Sequence, residues 1–205
     1  MKRAALVLML VGCGASVPPI ALTEQCPAQP SGDYDAVTEA WTRKDSQRAL
    51  YQEAISVTGI FKSPAWRAAH ALRDAENRRL TGDARNQVLQ QACADMAGPY
   101  EFEILLTTWD RRENDLDRNE RAAWHPALID SSGHEVKPLE ILKDKRPVQT
   151  VRADFPTFGD FATAYIVRFP RPAEGQQAVL GPNVHALKLV LSSSRGSVAL
   201  VWNAP

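Results

Sequence analysis

Leu187-Lys188-Leu189-Val190-Leu191-Ser192-Ser193-Ser194-Arg195-Gly196-Ser197-Val198-Ala199-Leu200-Val201-Trp202 is the stretch that decides the fold. Leu187, Leu189 and Leu191 stand two apart, as do Val198, Leu200 and Trp202, which is the period of strands half-buried on one face. Between them Ser193-Ser194-Arg195-Gly196 gives a tight reversal, with glycine taking the positive φ that a short hairpin needs. The same pattern runs upstream. Phe102-Glu103-Ile104-Leu105-Leu106 and Tyr165-Ile166-Val167-Arg168-Phe169 alternate, and Asp130-Ser131-Ser132-Gly133 separates segment 124–129 from segment 136–141. Strands are expected near 53–61, 100–109, 122–129, 135–142, 148–153, 162–169, 185–192 and 197–202. Pro126 and Pro138 belong at edges or non-bonding positions, because neither offers an N–H to a ladder.

Ahead of this β region the chain reads as mainly helical, over 33–99. Asp33 or Asp35 caps a helix through Tyr34, Val37, Ala40 and Trp41 that ends within 43–47. The β-branched run around Ile55, Val57 and Phe61 makes a first strand. Ser63-Pro64 then starts a helix whose stripe is Trp66, Ala69 and Leu72, with Asp74 and Arg78 placed for a surface ion pair. Thr81-Gly82-Asp83 recaps a second helix that buries Val88, Leu89, Ala92 and Met96 and stops at Gly98-Pro99. The expected class is α+β: an immunoglobulin-like antiparallel β-sandwich over 100–205, with an N-terminal helix and an inserted helical hairpin. Closure into a barrel is the alternative.

The 205 residues allow one domain of ordinary size, or one plus an appendage, and 44% hydrophobic content is enough to build a core. The 24 basic and 24 acidic side chains cancel, so global charge gives no reason to seek nucleic acid. No apolar run reaches the roughly 20 residues that span a bilayer.

Met1-Lys2-Arg3 followed by apolar residues 4–11 reads as an export signal over 1–12. Leu10-Val11-Gly12-Cys13 resembles the lipobox of bacterial lipoprotein signal peptides. The resemblance implies cleavage before Cys13 and attachment of a diacylglyceryl thioether and an N-acyl chain to it. Several acyl chains anchor stably where one does not, so the protein would be tied to a membrane with no spanning helix. Gly14 follows the cysteine in place of an inner-membrane retention Asp, which in such lipoproteins implies the outer membrane, facing the periplasm or the cell surface. Cleavage near Ala15-Ser16, releasing a soluble protein, is the alternative. Pro18, Pro19, Pro27 and Pro30 give residues 13–32 the composition of a lipid-anchored linker.

With Cys13 acylated, Cys26 and Cys93 are the number for one disulfide in an oxidising compartment. It would close about 68 residues, worth roughly 4 kcal/mol on a chain-entropy estimate. Leu89, Cys93 and Met96 also share a helical face, so a buried thiol is the competing reading.

Motifs for chemistry are sparse, and no catalytic residue, cofactor or metal site is assigned. The sequence holds no Gly-x-Ser-x-Gly elbow, no phosphate-cradling glycine loop and no His-Glu-x-x-His. His125 and His134 could meet across a hairpin, but two ligands make a poor metal site. Asp115-Leu116-Asp117-Arg118-Asn119 begins like a calcium loop, then departs from it at Glu120 and Pro126. Trp124 and Trp202 fall in phase with core positions. Trp109 does not, which makes it, with Asp110, Asp115 and Asp117, the candidate surface contact.

The series Phe102…Thr107, Trp124…Leu128, Gly133…Pro138, Phe155-Pro156, Tyr165…Phe169-Pro170 and Gly196…Trp202 resembles a group of uncharacterised bacterial envelope lipoproteins. That resemblance implies a helical hairpin and an immunoglobulin-like C-terminal domain, and carries no catalytic residue. The function expected is a non-enzymatic structural or interaction module of the cell envelope. Its partners would be the membrane through its lipid and an envelope protein or glycan, not nucleic acid. The alternative is an envelope hydrolase or carbohydrate-active enzyme using Asp110, Asp115, Asp117 or Glu120 as an acid/base pair.

Overall fold

The computed structural model describes residues 19–48, 53–130, 133–173 and 179–205. The export signal, Cys13, and Ser131 and Ser132 of the first expected reversal lie outside the described residues. The chain is α+β, with two antiparallel sheets and a few helices.

Helix α1 (Tyr34–Trp41) begins where the Asp33 carboxylate accepts from the Ala36 N–H at 2.9 Å, which satisfies a first-turn donor. It ends at Trp41, earlier than expected, because β1 (Thr42–Arg48) follows directly and pairs with β2 (Glu53–Phe61). The inserted hairpin is α2 (Pro64–Asn77) and α3 (Gly82–Ala94), and the Ser63 hydroxyl caps α2 by accepting from the Trp66 N–H at 3.1 Å. Trp66, Ala69 and Leu72 are buried as their spacing requires. Helix α3 differs from expectation, since Val88, Leu89 and Ala92 are only half-buried and it rests on one side of α2.

Strand β3 (Tyr100–Thr108) is followed by β4 (His125–Ile129), β5 (Glu135–Val136), β6 (Glu140–Lys143), α4 (Val148–Asp154), β7 (Thr163–Phe169), β8 (Ala186–Ser193) and β9 (Gly196–Asn203). One sheet has the order β1-β2-β3-β7-β6, the other β5-β4-β8-β9. The single strand expected over 135–142 is two strands in different sheets, parted by residues 137–139, which include Pro138 and its missing donor. Segment 148–153 is helix, not strand. Pro147 stands at its N-cap, and Val151, Asp154 and Phe155 turn inward at helical spacing while Val148 stays exposed.

The sheets meet face to face. Phe102 and Trp202, one from each sheet, bring their rings to 5.6 Å. Trp124, Tyr165, Phe61 and Phe169 fill the space around them, all buried. The opposite face of the larger sheet carries Ile60, Glu103, Leu105 and Ala164, and all four are buried too. Helices α1, α2 and α4 cover it, with Trp66 of α2 stacked on Phe155 at 5.8 Å.

Where the two sheets meet at their edges, β1 side chains do what a backbone ladder would otherwise do. Arg43 Nε donates to the Val201 carbonyl at 2.8 Å, and the Ala199 N–H donates to the Asp45 carboxylate at 2.7 Å. Gln47 Nε2 donates to the Arg195 carbonyl at 2.9 Å. The alternate residues 43, 45 and 47 share one face of the strand, so Arg43 and Asp45 reach β9 and Gln47 the reversal that leads into it. Gly196, at φ 136°, leaves room for Gln47, and a Cβ there would fall 2.0 Å from Gln47 Nε2.

Gly59 of β2 lies flat against the other sheet, and a Cβ there would sit 2.4 Å from Leu200 Cδ1 and 3.3 Å from Ile104 Cδ1. Gly59→Ala is expected to destabilise the fold by about 1–3 kcal/mol through overpacking. Urea unfolding at neutral pH measures it, and an unchanged midpoint would contradict the close approach of the sheets.

Candidate functional site

Charged side chains far apart in sequence converge beneath α2 and α4. Glu103 projects from the helix-covered face of β3 and is fully buried. Its Oε2 lies 3.0 Å from Lys62 Nζ, at the approach to α2, and 3.7 Å from Arg146, in the turn before α4. Lys62 also holds Glu101 at 2.8 Å, and Arg146 holds Asp144 and Asp154, both at 2.6 Å. Asp154 at the end of α4 receives Arg73 of α2 and lies 3.6 Å from His70. The ring of His70 stacks on Trp66, and the Arg73 guanidinium sits 3.7 Å above Tyr34.

These neighbours act differently on each carboxyl. Burial pushes Glu103 up to about 7, and Lys62 and Arg146 offset this only in part while Asp144 adds to it. Neither Glu103 oxygen has an aligned hydrogen bond among the described residues, so the charged form is poorly solvated there. Burial also acts to raise Asp154, but His70 and Arg73 outweigh it and hold that carboxyl at about 2. Glu101, against Lys62 and Arg168, is likewise held at about 2 despite its burial. Burial raises the Tyr34 hydroxyl to about 12. A carboxyl that titrates near neutrality suits proton transfer, but Glu103 has zero exposure and offers no surface for a substrate to touch. The cluster ties α2, β3 and α4 together.

The residues marked in the sequence lie elsewhere, at the far end of β3. Trp109 is 66% exposed, and Phe161, ahead of β7, is 75% exposed. The Arg111 guanidinium lies 6.0 Å from the Phe161 ring centroid. Asp110 is held by Arg112, whose Nη2 is 2.8 Å away, and its carboxyl is kept at about 2 by that hydrogen bonding. Asp115 turns inward instead of facing solvent. Its carboxylate accepts from the Ala123 N–H at 3.0 Å and organises the loop. Asp117 pairs with Lys143 at 3.2 Å. Each of the three is engaged in a local contact, and Glu120 is exposed. His125 and His134 do not meet: β4 registers Ile129 opposite Glu135, which leaves His125 at the other end of the strand. Among the described residues no group of three or more His, Cys, Asp or Glu is placed to hold a metal ion.

The missed cluster had no local signature, since Lys62, Glu103, Arg146 and Asp154 occupy four separate segments. Its one signal was Glu103 at a strand position flanked by apolar residues.

Cys26 and Cys93 form a disulfide with Cα atoms 5.8 Å apart, so Cys93 is not the buried thiol of the competing reading. A shallow groove of about 610 Å³ runs along α3, lined by Arg78, Leu80, Gln87, Val88 and Gln91. No helix among the described residues is long and apolar enough to cross a membrane. No protein-family model, curated protein or solved structure matches this chain.

The Glu103 shift fixes a direction for stability. A folded pKa near 7, above the ordinary 4.5, means the native state keeps a proton that the unfolded chain gives up. Stability therefore falls as pH rises from about 4.5 to about 7, by an amount on the order of 3 kcal/mol. Glu103→Gln is expected to flatten that decline, as read from urea midpoints across the interval. Glu101 and Asp154 have the opposite sign, and their contribution is lost as pH falls from about 4 toward 2.

Proposed function

We propose that the chain is a bacterial envelope lipoprotein, anchored to a membrane by acyl groups on Cys13, that works as a non-enzymatic structural or interaction module. The observation that carries this reading is the Cys26–Cys93 disulfide, which begins thirteen positions after the lipobox cysteine. Disulfides persist in oxidising compartments outside the cytosol, where an exported chain resides. Leu10-Val11-Gly12-Cys13 supplies the acylation motif, and Gly14 points to the outer membrane, facing the periplasm or the cell surface.

The two antiparallel sheets support an immunoglobulin-like sandwich, in which strands passing from one sheet to the other are a regular feature. Here β5 and β6 make that passage at Pro138. Contact with an envelope protein or glycan is assigned to the end carrying Trp109 and Asp110, where a large ring stands in solvent beside fixed charges.

Labelled palmitate fed to a bacterium expressing the full chain tests the anchor. The wild type is expected to take up label and to sediment with membranes, and Cys13→Ser is expected to lose both. An unlabelled wild type, or label retained by Cys13→Ser, would overturn the reading.

A further inference from the structure

The segment expected to be linker is packed against the domain. The Ile20 N–H donates to the Asn203 carbonyl at 2.9 Å, and the Leu22 carbonyl accepts from the Gly181 N–H at 3.0 Å. The Leu22 side chain is buried in the core. Glu24 accepts from the Tyr100 hydroxyl and pairs with Arg171 at 3.0 Å. Two residues later Cys26 is bonded to Cys93. Backbone, apolar, ionic and covalent contacts thus hold the segment 19–26 through Ile20, Leu22, Glu24 and Cys26, and they reach the end of the domain where β3 begins and β7 and β9 finish.

Trp109, Phe161 and the Arg195 reversal lie at the opposite end, where β3 finishes and β7 and β9 begin. The nine residues of β3 separate the two ends by roughly 27 Å. From Cys13 to Pro19 the chain reaches at most about 20 Å even when fully extended. A tether shorter than the domain keeps the packed end within about 20 Å of the headgroups, while the far end, a strand's length further on, can stand clear of them.

We propose that residues 19–26 form a strap that stands the domain end-on over its anchor, with the Trp109–Phe161 end turned away from the bilayer. This rests on Cys13 as the point of attachment. The disulfide secures the strap's inner end by bonding Cys26 to α3.

The test supplies the lipid chemically, so that it stands whether or not cells acylate the protein. Cys13 is the one cysteine outside the disulfide, and a maleimide-bearing phospholipid attached to it places the full chain on vesicles of phosphatidylethanolamine and phosphatidylglycerol. Benzoylphenylalanine is introduced at position 23, an exposed site on the strap, or at position 109, and irradiated. The expected result is several-fold more lipid adduct from position 23 than from position 109. A glycine-serine insertion between Ser16 and Val17, which leaves every strap contact in place, is expected to abolish most of that difference. Equal adducts at the two positions in the uninserted chain would overturn the proposal, as would a difference that survives the insertion unchanged. Failure of palmitate labelling in cells would count against the acylation reading alone.

Discussion

The seam between β1 and β9 is the constraint on which the rest of the structure depends. Two sheets laid face to face leave strand edges with unpaired N–H and C=O groups, and such edges invite pairing with other chains. Here the Ala199 N–H and the Val201 carbonyl, which point away from β8, are met by Asp45 and Arg43. Hydrogen bonds to charged partners contribute more than neutral ones, about 1.5–3 kcal/mol each. The indole N–H of Trp202 extends the seam by donating to the Trp41 carbonyl at 2.8 Å, which links the last strand to the end of α1. First and last elements are thereby stitched together, and the strap adds Ile20 to the end of β9.

With one face of the larger sheet occupied by the other sheet, its remaining face is the floor of a second interior under α1, α2 and α4. That interior contains both large apolar rings and charge. Breaking a buried ion pair leaves an uncompensated charge, so the Lys62, Glu103, Arg146 and Asp154 cluster fixes how the helices sit on the sheet. Glu103 is the weak point of the arrangement, a carboxyl held where ionisation is costly. The contact between helix layer and sheet therefore weakens as pH rises from weakly acid to neutral.

Strands with one apolar face were legible because alternation is a local property. β2, β3, β7, β8 and β9 all announce themselves, and Trp109 was readable as exposed from its phase alone. β1 was not, because Thr42-Arg43-Lys44-Asp45-Ser46-Gln47-Arg48 has no apolar face to show. Its inward residues are polar since their task is to satisfy the backbone of β9, a strand more than 150 positions away. Helix α4 misled because its β-branched Val148, Thr150 and Val151 favour strand by composition, while the burial of Val151 and Phe155 four apart sets the period. Asp115 reads as a solvent-facing ligand in a polar loop, yet a loop needs internal acceptors, and Asp115 is one. The strap looked like linker because Pro18, Pro19, Pro27 and Pro30 in and around it leave no periodicity, and the contacts that pack it onto the domain are with distant residues.

The β scaffold is closed by side chains, with residues 20–26 packed on one end and the exposed rings of Trp109 and Phe161 at the other. The claim most open to direct measurement is that Asp45 and Arg43 make the two sheets one cooperative unit. Native-state hydrogen exchange at the Ala199 amide tests it, compared before and after Asp45→Ala. The account predicts that Ala199 exchanges in the wild type only with global unfolding, and that the substitution opens it locally while core amides of β8 stay protected. Fast exchange at Ala199 in the wild type, from local opening that leaves β8 intact, would contradict it.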